Sequence, residues 1–65
     1  MDIIQLLKKE LPDCQIQQQD NLIYVFKEGK ATHYDYNYLN YLFESGQLTE
    51  QNIKFMLLLI TKLPS

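Results

Sequence analysis

Two dipeptides, Asp20-Asn21 and Glu28-Gly29, flank the segment LIYVFK and constrain this chain more than any other feature. Asp, Asn and Gly suit tight turns. The segment between is β-branched and aromatic, as strands prefer. Before it, DCQIQQQ alternates Cys14, Ile16 and Gln18 with Gln15, Gln17 and Gln19; after it comes ATHYD. Two-residue turns at both places predict a three-stranded antiparallel meander of fixed register. Cys14, Ile16, Gln18, Ile23, Val25, Thr32 and Tyr34 then share one face. Gln15, Gln17, Gln19, Leu22, Tyr24, Phe26, Ala31, His33 and Asp35 share the other. Slipping either turn by one residue would mix these sets, because side chains alternate with period two. The first set is the more uniformly aliphatic, so it is expected to face helices.

Helical periods bracket the meander. Asp2 and Gln5 have capping-box spacing ahead of an apolar stripe of Ile3, Ile4, Leu7 and Leu11. Lys8 and Lys9 suit the C-terminal end of that helix, and Pro12 ends it. The stretch THYDYNYLNYLF holds four of the five tyrosines. Its strand spacing holds as far as Tyr34 or Asp35; beyond Asn37, Leu39, Leu42 and Phe43 repeat at helical spacing, with Tyr38 beside them and Tyr36 in between. Asp35 or Asn37 is expected to cap this second helix, and Ser45-Gly46 to close it. A last helix is expected from Thr49 as N-cap, with Leu48 stapled to Ile53, running to Pro64. Ile53, Met56, Leu57, Ile60 and Leu63 form its stripe, while Phe55, Leu58 and Leu59 spill onto its remaining surface. The predicted class is α+β in the order αβββαα, one domain over residues 1–65, ordered save its last residue or two.

Sixty-five residues lie near the lower limit for a chain that folds alone. One cysteine permits no internal disulfide, and a buried structural thiol in a reducing compartment is the expected role of Cys14. No basic segment precedes a long apolar stretch at the N-terminus, and FMLLLI is far shorter than the ~20 residues of a membrane span. A soluble, cytoplasmic protein is therefore expected.

Chemistry-bearing patterns are sparse. His33 and Asp35 fall on one side of a strand, but Cys14 falls on the opposite face, which leaves the pair no nucleophile. Two residues cannot supply the three or four ligands of a zinc site. Gly29 and Gly46 are isolated and each has a turn to explain it, so no phosphate loop is formed. No enzyme activity, metal or cofactor is expected.

The face bearing Leu22, Tyr24, Phe26 and His33 is more apolar than water exposure selects. It is the expected partner-binding surface, and a protein is the expected partner, since such surfaces need no charge to bind. A nucleic-acid-binding regulator that stacks bases on Tyr24 and Phe26 is the alternative. Against it stand the absence of arginine, the net charge of −2 and six lysines scattered along the chain. The surplus apolar residues Phe55, Leu58 and Leu59 suggest self-association, most simply a homodimer. In the order of its elements the chain resembles a phage-encoded anti-CRISPR inhibitor of Cas9. The resemblance is one of layout and implies a small inhibitor, encoded by a phage or mobile element, that acts by contact.

Overall fold

A computed structural model of the protein describes residues 2–62. Its elements are α1 (Ile3–Glu10), β1 (Gln15–Gln19), β2 (Leu22–Lys27), β3 (Lys30–Asp35), α2 (Tyr36–Glu44) and α3 (Ile53–Lys62). The expected αβββαα order holds. The sheet is antiparallel in the order β1-β2-β3.

Both turns close on two residues, pairing Gln19 with Leu22 and Lys27 with Lys30. The register predicted from alternation follows from those two closures. In the second turn Glu28 and Gly29 both take positive φ, at 49° and 80°, as a type I′ hairpin requires. In the first, Asp20 alone does so, at 54°.

The helices lie on one face of the sheet. α1 packs on β1, α2 on β3, and the two helices touch. The core joins Ile3, Leu6 and Leu7 of α1 to Ile23, Tyr34, Leu39, Leu42, Leu48, Ile53 and Leu57. The stripe read from the sequence needs correcting here. Leu6 is fully buried, whereas Ile4 and Leu11 flank the core half-buried. A helical stripe can begin at Ile3 or at Ile4, and the sheet beneath selects the first.

Local bonds fix where each helix starts and stops. The Gln5 backbone N–H donates to Asp2 Oδ1 at 2.8 Å, and Gln5 Oε1 accepts from the Asp2 N–H at 2.9 Å. The capping box is therefore complete. α2 begins at Tyr36 with no loop after β3, two residues before the helical spacing that holds beyond Asn37. Asp35 makes this possible, since it pairs with Leu22 as the last strand residue while its Oδ1 accepts from the Tyr38 N–H at 2.9 Å. At the other end Gly46 has φ 83°; its N–H donates to the Phe43 carbonyl and that of Gln47 to the Leu42 carbonyl. These two bonds form a Schellman closure.

α3 begins later than expected. Thr49 Oγ1 accepts from the Asn52 N–H at 3.3 Å, and Asn52 Oδ1 accepts from the Thr49 N–H at 2.8 Å. Asn52 Nδ2 also donates to the Gln47 carbonyl at 2.9 Å. The Thr49–Asn52 pair exchanges the two bonds of a capping box, so the expected N-cap is made at Thr49, while regular helix runs only from Ile53. Leu48 and Ile53 are both buried, as the expected staple needs. Leu63, Pro64 and the expected last ordered residues lie outside the described residues.

Candidate functional site

The outer face of the sheet is a grid in three rows. Gln15, Phe26 and Ala31 lie side by side, then Gln17, Tyr24 and His33, then Gln19, Leu22 and Asp35. The middle column is apolar, the β1 column is amide, and the β3 column is mixed. Tyr24 is half-buried, while Leu22 and Phe26 are each 36% exposed. No described element covers this face.

The four expected partner-binding residues are thus brought together. The Tyr24 and Phe26 rings, two apart on β2, have centroids 6.2 Å apart and planes 17° from parallel. Across the strand pair, the His33 ring lies 6.4 Å from Tyr24 at 48°. The rings shield one another, which is how large aromatics tolerate a wet face without a helix over them. Beside His33, the polar groups of this face are three glutamines, Asp35 and the Tyr24 hydroxyl. Its neighbour Asp35 is already engaged, since Oδ2 accepts from Asn21 Nδ2 at 3.1 Å and Oδ1 caps α2.

The tyrosine cluster divides. Tyr34 is buried and Tyr36 half-buried against the core, whereas Tyr38 and Tyr41 are 48% and 62% exposed on α2. Burial holds the Tyr34 hydroxyl above its ordinary pKa, helped by the charge of Cys14 in its thiolate form. On α3, Phe55, Leu58 and Leu59 are exposed, at 63%, 57% and 44%. Their separation from the buried Ile53 and Leu57 is as the sequence predicts.

Two residues expected in the core are less buried than the alternation implied. Ile16 and Val25 are half-buried, as is Cys14, which was expected to be a buried thiol. The helices leave a groove of about 510 Å³ at this end of the inner face. Its lining includes Leu11, Cys14, Val25 and Leu57, with Lys27, Lys30 and Lys54 around them. Sequence reasoning missed this groove. The signal was present, because the alternation that puts Val25 and Thr32 on the inner face also puts Lys27 and Lys30 there.

Among the described residues no three His, Cys, Asp or Glu side chains group to hold a metal ion. No described helix is long and apolar enough to cross a membrane. Comparison with protein-family models, with curated proteins and with solved structures finds no match.

Proposed function

We propose that the protein is a small non-enzymatic regulator or inhibitor that engages a protein partner through Leu22, Tyr24, Phe26 and His33. The observation behind this reading is the uncovered aromatic column on the outer face, flanked by glutamines. With Leu22 and Phe26 each 36% exposed, burying the remainder yields only about 0.5–1 kcal/mol apiece. Binding therefore has to use the whole grid, with glutamine amides pairing at the rim, and a flat partner surface meets that need. A single-stranded nucleic acid would stack on the same rings, but lysines around its backbone would be required, and this face has none.

The layout shared with a phage inhibitor suits the same role, as does a cytoplasmic setting for a chain with one free thiol. A second copy of the chain is a further partner in this reading, docking on Phe55, Leu58 and Leu59 of α3.

The experiment is a pull-down from host extract with the native chain and with a Tyr24→Ala, Phe26→Ala double variant. Loss of the captured protein, with native circular dichroism and little dependence on salt, is expected. Steep loss of capture with salt would favour nucleic acid. Unfolding of the double variant would show that the two rings are core and end this reading.

A further inference from the structure

The groove on the inner face carries features that the outer-face reading does not use. Lys27 and Lys30 are direct cross-strand partners beside the second turn, and both lie on the inner face. Like charges directly opposite one another are unfavourable in a sheet. Lys54 reaches the same groove from α3. None of the three takes part in an ion pair among the described residues, where Lys9 and Glu50 form the one salt bridge. Glu28 stands among them, and Glu10 and Asp13 line the adjoining hollow that Lys27 and Lys54 also border. The floor is apolar, built from Leu11, Val25 and Leu57, with the Cys14 thiol beside it. At about 510 Å³ the groove has the size of sites that hold small organic ligands, roughly 300–1,000 Å³.

We infer that this groove binds an aliphatic carboxylic acid of medium chain length. The chain lies on Leu11, Val25 and Leu57, and the carboxylate accepts hydrogen bonds from the ammonium groups of Lys27, Lys30 and Lys54. Both halves of the ligand are needed. An anion without a chain would leave the apolar floor wet, and a chain without a charge would leave the paired Lys27 and Lys30 repelling one another. Glu28 keeps the rim from being uniformly positive, which selects a single carboxylate over a polyanion such as nucleic acid.

The test titrates the isotope-labelled chain with sodium decanoate below its micelle concentration and follows backbone amide resonances. Saturable shifts at Cys14, Val25, Thr32 and Leu57 are expected. Decanol and butyrate, which carry only the chain or only the charge, should each bind more weakly. A folded Lys27→Gln, Lys30→Gln variant should lose roughly two- to tenfold in affinity, the range for partly exposed charge pairs. Decanoate should also slow alkylation of Cys14 by iodoacetamide. Equal binding of decanol, or an unchanged affinity in the lysine variant, would overturn the carboxylate assignment. Shifts confined to Tyr24 and Phe26, or none that saturate, would overturn the site. A response to an acidic apolar peptide but not to decanoate would also overturn it, in favour of a protein segment. The Tyr24→Ala, Phe26→Ala variant should bind decanoate normally, so this site and the outer face fail or survive separately.

Discussion

Asp35, Asn21 and Tyr34 show how much single residues decide in a chain this short. Asp35 ends a strand, caps a helix and accepts from Asn21 across the sheet. Asn21 returns the bond from its other atom, Oδ1 accepting from the Asn37 N–H at 3.2 Å. Asn21→Ala removes both side-chain bonds, and a loss of about 0.5–1.5 kcal/mol is expected by urea titration, since both groups are near water. Glu28 has φ 49° in a turn whose geometry favours Asn or Gly. Glu28→Asn should therefore raise stability by about 0.5–1 kcal/mol, a gain that the urea midpoint will report. Tyr34 is neutral when protonated, and its pKa is raised in the folded state, chiefly by burial. The folded state thus holds this proton more tightly than the unfolded chain. The associated stability is fully present below the ordinary tyrosine pKa of about 10 and is lost as pH rises through the raised value. Ultraviolet titration should show one of the five tyrosines ionising last, together with unfolding.

The strands and α1 were legible in advance because their signals are local. Two turn dipeptides set the register, and Asp2 with Gln5 set the start of α1 by spacing alone. What local signals could not supply was depth. Val25 and Ile23 alternate alike on β2, yet Ile23 is fully buried and Val25 half-buried, because the groove lies over one end of the strand. Ile23→Ala should accordingly cost about 2–4 kcal/mol and Val25→Ala only about 1 kcal/mol. Gln17→Ala, on the outer face, should stay within ~0.5 kcal/mol. If Val25 proved the costlier of the two, α3 would have to lie across the groove. The Thr49 cap of α3 was legible as well, since Thr49 and Asn52 exchange the bonds of a capping box, but that regular helix begins only at Ile53 is not visible as a period. The outer-face grid was legible by alternation; the groove needed the positions of three elements at once.

The molecule as a whole has two sheet faces of different character and a last helix with surplus apolar surface. Phe55, Leu58 and Leu59 are partly exposed, and burying the remainder is worth about 0.7–2 kcal/mol each. Pairing of two chains along α3 is the proposed outlet, and sedimentation equilibrium at micromolar concentration should return a dimer mass that Phe55→Glu or Leu59→Glu reduces to the monomer. A monomer mass for the unaltered chain would end that proposal. The Lys9–Glu50 contact, at 3.0 Å and half exposed on both sides, adds little to holding α1 to the turn before α3. A stronger link joins the sheet to α2. The Tyr36 N–H donates to the Asn21 carbonyl at 2.9 Å, while the Asn21 side chain holds Asn37 and Asp35. One turn of the meander is thereby fastened to the first turn of a helix, so neither end can fray by itself. In native-state hydrogen exchange the amides of Tyr36 and Asn37 should be released together with that of Ile23, as a single opening unit in which strand and helix come apart at once.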